Sequence, residues 1–168
     1  MKFKNYLQEF VQEMNEFELN AIKMDEGIDR SVIIQPSDFV AELPGIGSRK
    51  AEYEWTCDGH SFYLFALGRP EYYEFKFITH DLRIDTTKRL NGKPATSVFS
   101  GAILAIKEFL SHHTDNKYFS IDADTNDKNR VRLYRAGTKY IAKETGYAYL
   151  GEIEDDPKYI KFVFKKEI

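Results

Sequence analysis

An α+β domain, with a mixed, mostly antiparallel sheet and flanking helices, is the fold class that this sequence predicts. Three observations carry it. Apolar residues recur at helical steps of three and four over residues 97–111 and 127–144. They alternate at strand spacing over residues 53–64 and 72–79. Asp58-Gly59 sits between two alternating runs, and this pair is preferred in a two-residue hairpin turn.

The totals agree with one domain. A chain of 168 residues is long enough to bury a real core. Its aromatic content of 15% is high and suits a sheet-rich interior. The net charge of -3 gives no general pull toward nucleic acid or an anionic membrane, so such contact would need a local patch. Cys57 is the only cysteine. That excludes an internal disulfide, argues against a dense metal site and fits a reducing compartment, the cytosol. No apolar run approaches the roughly 20 residues of a membrane span. Charged residues interrupt the apolar positions of the N-terminus, so a secretory signal is not expected.

In chain order, Phe3, Tyr6, Leu7, Phe10, Val11, Met14 and Phe17 form the apolar stripe of an N-terminal helix within residues 1–20. Arg30–Ile34 is predicted as a short strand, stopped by Gln35-Pro36. Ser37 can cap a turn through Phe39. Leu43–Ser48 is a loop by its Pro and Gly content, and Gly45-Ile-Gly47 lacks the context of a phosphate loop. Around Asp58-Gly59 a tight turn sets Cys57 against His60, Trp55 against Phe62 and Tyr53 against Leu64, all on the core face. Glu52, Glu54, Thr56, Ser61 and Tyr63 point the other way. Tyr72–Thr79 adds a third antiparallel strand after Arg69-Pro70. Residues 80–94 are polar and irregular. A helix over Ser97–Ser111, capped by Thr96 or Ser97, a strand over Lys117–Asp122 and a helix over Asp127–Glu144 follow. Gly146 ends the last helix. Tyr147–Ile153 and Lys158–Phe164 form a closing hairpin.

Helix, strand, three-strand meander, helix, strand, helix, hairpin: this order resembles the GNAT N-acetyltransferase superfamily, and the likeness covers most of residues 50–165. In that fold a mixed sheet splays between its fourth and fifth strands, where acetyl-CoA enters. The resemblance places the splay between Tyr72–Thr79 and Lys117–Asp122. Asn126, Leu133-Tyr134 and Gly146-Tyr147 look like a stretched version of the family's last-helix motif. By that resemblance Tyr134 protonates the departing CoA thiolate, with Asp122 as a second catalytic group. The cofactor loop would be Arg89–Thr96, with Gly92, Lys93, Ala95 and Thr96 as contacts. That loop is degenerate. It has one glycine, and Pro94 removes a backbone donor where CoA phosphates need several.

A second likeness is to uncharacterised proteins of large tailed bacteriophages. It rests on Ala95-Thr-Ser-Val-Phe99, Phe119-Ser-Ile-Asp122 and Arg130-Val-Arg-Leu-Tyr134. Met1–Glu9 resembles the removable capsid-targeting peptides of such phages, which are cut after Leu/Ile-x-Glu. A plain amphipathic helix explains the same residues. The resemblance implies a phage gene product acting in the cytoplasm of the infected bacterial host or inside the virion.

Several constellations are candidates for chemistry. Lys128, Arg132, Arg135, Lys139 and Lys143 fall on one helical face. They suit a protein partner or a phosphate-bearing ligand, nucleic acid being less favoured in an acidic chain; a solvated face opposite the core, offset by Asp127 and Glu144, is the plainer reading. Cys57 and His60 lack an orienting third group. His112-His113 suits a helix C-terminus better than a metal. Asp122, Asp124 and Asp127 suit Mg²⁺ or base catalysis, or equally turns and caps. No resident metal is expected. Two functions follow. The leading one is a non-enzymatic phage accessory protein without a cofactor that binds a host or phage partner, in host takeover, counter-defence or packaging inside the capsid. The alternative is an acetyl-CoA-dependent N-acetyltransferase with an atypical pyrophosphate loop.

Overall fold

The computed structural model describes residues 28–37, 49–57, 59–79 and 95–168. The expected N-terminal helix, the Leu43–Ser48 loop and residues 80–94 lie outside them, as do Gly92 and Lys93.

Among the described residues, seven strands form one mixed sheet in the order β1-β2-β3-β4-β5-β7-β6. They are β1 (Gln35–Pro36), β2 (Arg49–Cys57), β3 (His60–Arg69), β4 (Tyr72–Thr79), β5 (Tyr118–Asp124), β6 (Tyr147–Asp156) and β7 (Tyr159–Lys166). Helix α1 spans Ala95–His112 and helix α2 spans Lys128–Thr145. Only β4 and β5 pair in parallel, and every other neighbour is antiparallel. This is the mixed, mostly antiparallel sheet with flanking helices that the sequence predicts.

The hairpin register is as expected: Cys57 pairs with His60, Trp55 with Phe62 and Tyr53 with Leu64. Trp55, Phe62 and Leu64 are buried. Trp55 stacks on Phe62 at 6.1 Å and on Phe77 at 5.7 Å between ring centroids. Phe75, Phe109, Phe119, Phe162 and Phe164 continue the core without exposure. Each such side chain contributes roughly 1.5–3 kcal/mol by burial. Glycines set two close approaches, α1 to this face and α2 to α1. A Cβ on Gly101 would run into the Trp55 indole, and one on Gly137 would run into the Phe99 ring.

Three expectations need correcting. The strand over Arg30–Ile34 is absent, and pairing begins at Gln35 and Pro36, opposite Glu54 and Tyr53. The reason is Asp29. Its carboxylate accepts from the Ser31 amide and from Ser97 Oγ, and its amide donates to Ser100 Oγ. Residues 30 and 31 are thereby drawn into a turn tied to α1. Ser97 accordingly does not cap α1, which starts at Ala95; its hydroxyl serves Asp29. Finally, Tyr63 faces away from the main core but is buried. It forms a second apolar cluster with Phe65 and Leu67, beside Ile78.

Helix α2 ends as the sequence indicates. Asp127 caps it by accepting from the Arg130 amide at 3.0 Å, which typically contributes about 1 kcal/mol. Gly146 closes it in the left-handed conformation, φ 73°, which a glycine adopts without a Cβ penalty.

Candidate functional site

Parallel β4 and β5 pair from Tyr72 opposite Tyr118 to Phe75 opposite Ile121. Both strands continue, β4 to Thr79 and β5 to Asp124. Beyond Phe75 and Ile121 they no longer pair with each other. Each stays with its outer neighbour instead: Thr79 remains opposite Phe62, and Asp124 opposite Tyr159. The sheet therefore parts between its fourth and fifth strands, at their C-terminal ends. Backbone groups there lose their ladder partners and must find others. The Phe77 carbonyl has done so. It accepts from Arg130 Nη1 at 3.2 Å. The same guanidinium lies 5.3 Å from the Phe77 ring centroid and pairs with Asp127 at 3.3 Å.

Tyr134 lies one turn along α2 from Arg130. It is buried, edge-on to Phe162 at 5.8 Å and tilted against Phe99 at 6.2 Å. Among the described residues nothing hydrogen-bonds its hydroxyl. Burial pushes its pKa up to about 12, with the charges of Asp127 and Asp122 adding to the rise and that of Arg130 opposing it. The phenol is thus protonated at neutral pH and sits within the electrostatic reach of the groups bordering the parting.

The opposite face of β4 and β5 carries a polar network that sequence reasoning missed. Tyr72 OH donates to Ser120 Oγ at 2.8 Å, and Ser120 Oγ donates to Asp122 Oδ1 at 3.0 Å. Lys76 Nζ stands 3.5 Å from Asp122 Oδ2 and 4.8 Å from the Tyr159 ring centroid. Lys161 Nζ donates to Glu74 Oε1 at 2.8 Å. Asp122 is buried. Desolvation raises its carboxyl pKa, and the nearby Glu74 charge adds to this against Lys76, Ser120 and Lys161. At Lys161 burial opposes the charge, but the bond and charge of Glu74 outweigh it and raise the ammonium's pKa. The only signal in the sequence was the polar alternation of Glu74 and Lys76. Their partners come from strands some 45 to 85 residues away in sequence, which alternation cannot reveal.

The remaining sequence candidates fall into place separately. Ala95 and Thr96 are the first residues of α1, whose first turn carries no acidic residue. The basic residues do share a face of α2, yet Arg135 is held by Glu152 of β6 in a bidentate pair, 2.6 and 2.9 Å. Lys128, Lys139 and Lys143 are exposed and Arg132 is partly buried. The offset expected from Glu144 and Asp127 goes elsewhere: Glu144 binds Arg30 and lies 3.5 Å from Lys107, and Asp127 caps its own helix. Asp122, Asp124 and Asp127 do not converge. Asp124 accepts from the Asn126 amide in the turn. Among the described residues no group of three His, Cys, Asp or Glu is placed to hold a metal. Cys57 is buried while His60 is exposed. His113 stacks on Phe109 at 3.9 Å and His112 contacts Glu108, both helix-end roles.

No family model matches the sequence, and no curated protein matches it. Solved structures similar in fold include AAC(6')-Ib in complex with paromomycin and acetyl-CoA, with 9% identity and a TM-score of 0.41 over 70% of this chain and 64% of that one. Another is RimL, a ribosomal L7/L12 alpha-N-protein acetyltransferase, at 9% identity and a TM-score of 0.36 over 70% and 60%. A GNAT-family acetyltransferase from Bacillus anthracis matches at 8% identity and a TM-score of 0.34 over 67% and 63%. The matches span less than two thirds of each of these chains.

Proposed function

We propose that this chain is an N-acyltransferase that takes acetyl-CoA into the parting between β4 and β5. The observation that carries the proposal is the parting itself. Two parallel strands stop pairing in mid-course and leave backbone donors and acceptors where an extended, amide-bearing ligand can pair with them. The residues present fit such a ligand. The stretch of β4 over Lys76–Thr79, which pairs with β3 but no longer with β5, would hold its amide-bearing arm, and Arg130, bonded to the Phe77 carbonyl, brings a positive charge to the opening. Ala95 and Thr96 open α1 with no acid in its first turn to repel phosphate. Acetyl-CoA supplies the acyl group in activated thioester form.

The chain's own groups divide the proton work. Tyr134 keeps its proton through neutral pH and holds it at Oη for a departing thiolate. Asp122 has a carboxyl pKa raised by burial, so its carboxylate is a better base than an exposed aspartate. It is the group to take a proton from an attacking amine. Arg130 packs over Phe77 and Tyr134 packs on Phe162 on this side.

The binding-protein reading, with the basic face of α2 as the contact surface, has less in its favour. Arg135 is already bidentately engaged. Titration calorimetry of acetyl-CoA into the full chain tests the choice. Binding in the micromolar range, retained in Tyr134→Phe, is expected. No heat at millimolar ligand would return the binding reading to first place.

A further inference from the structure

We propose that Arg130 is a latch on the parting, which an incoming ligand must displace from the Phe77 carbonyl. The inference rests on the acyltransfer reading, since it concerns how that same opening is filled.

Strand geometry shows which backbone groups face the opening. Just ahead of β4, the Glu71 carbonyl accepts from the Tyr118 amide at 3.0 Å. Carbonyls alternate sides along a strand, so those of Tyr73, Phe75, Phe77 and Thr79 turn toward β5 as well. Parallel pairing ends with Phe75 opposite Ile121. Phe77 therefore carries the first β5-facing carbonyl beyond the paired stretch. Carried on from Glu71 and Tyr118 in steps of two, the ladder would offer it the Asp124 amide. Asp124 stays opposite Tyr159 of β7 instead. Arg130 Nη1 takes that place, donating to the Phe77 carbonyl at 3.2 Å.

An extended ligand that continues the ladder meets this carbonyl as its first acceptor. Arg130 is well held there. Its Nε pairs with Asp127 at 3.3 Å, and its guanidinium lies 5.3 Å from the Phe77 ring centroid. Both side chains of the ion pair are only 17% exposed, so solvent screens it less than a surface pair. A bond from a charged donor is also stronger than one from a neutral amide. The unliganded chain thus rests with its first acceptor occupied. The open state is the minor one, and apparent affinity falls with its population.

The latch can be removed without the helix cap. Asp127 caps α2 by accepting from the backbone amide of Arg130, which a methionine at that position retains.

Amide NMR titration of the full chain with S-acetylpantetheine tests the inference. This probe is the amide-bearing arm of acetyl-CoA without the nucleotide phosphates, so attraction between phosphate and Arg130 does not enter. Arg130→Met should bind it about tenfold more tightly than the wild type, because no latch has to open. In the wild type the Arg130 Nη signals should shift at saturation as the bond to Phe77 is lost. Nη signals that stay in place at saturation would mean that the carbonyl accepts both donors, and would overturn the latch. Equal or weaker binding by Arg130→Met overturns it too, while leaving the acyltransfer reading intact. If neither protein binds the probe or acetyl-CoA, the acyltransfer reading itself fails and the latch falls with it.

Discussion

Replacing Tyr134 by Phe removes one oxygen from the interior and gives a pH-dependent signature. The phenol's folded pKa is about 12 against an ordinary value of 10.0, chiefly because burial disfavours phenolate. A tenfold change in acidity is worth about 1.4 kcal/mol, so a rise from 10.0 to about 12 amounts to roughly 3 kcal/mol. The sign follows from which state loses its proton first. Above pH 10 the unfolded chain ionises at this position while the folded chain does not. The stability that Tyr134 contributes is therefore complete below pH 10 and is lost as pH rises towards 12. At pH 11 about half is gone, roughly 1–2 kcal/mol. Tyr134→Phe has nothing to ionise and escapes this loss. Below pH 9 the two proteins should differ by less than about 1 kcal/mol, since the hydroxyl has no hydrogen-bond partner among the described residues. Urea unfolding of both proteins at pH 8, 10 and 11 measures it. The variant should gain on the wild type by roughly 1–2 kcal/mol between pH 8 and 11. A difference that does not change with pH would mean that the phenol is solvated, and the argument for a sheltered proton donor would fail.

Two other outcomes follow from the same geometry. Gly137→Ala drives a methyl into the Phe99 ring, well inside van der Waals contact, and should destabilise by roughly 1–3 kcal/mol in urea unfolding; a loss of only a few tenths would show that α1 and α2 are not so close. The Asp122 carboxyl, followed by carbon NMR, should titrate above its ordinary 3.8. Because its folded pKa is raised, the stability it contributes is full below pH 3.8 and is lost as pH rises through the folded value. Asp122→Asn can still accept from Ser120 and should gain relative stability over that window. A midpoint at or below 3.8 would contradict the burial of this charge.

Much of the fold was legible because it is written in local periodicity. The Asp58-Gly59 turn fixed its own register residue for residue. The apolar stripe of α2, its Asp127 cap and its Gly146 stop were readable for the same reason. What failed depended on distant contacts. Arg30–Ile34 has strand composition, but Asp29 is claimed by Ser97 and Ser100, some 70 residues on. Tyr63 shares the outward face with Ser61, yet it is covered together with Phe65 and Leu67. The site divides in the same way. Tyr134 was visible as a residue on the helix. Its neighbour Arg130 was not singled out, because its role is set by a carbonyl 53 residues earlier. The basic stripe was visible as a periodicity, but its engagement by Glu152 was not.

Mapping acetyl-CoA onto the amide NMR spectrum tests the central claim most directly. Ligand entering between β4 and β5 should shift the amides of Lys76–Thr79, Asp122–Asp124 and Arg130, and leave those of β6 unmoved. Shifts confined to the outer face of α2, around Lys139 and Lys143, or no shifts at saturating ligand, would contradict it.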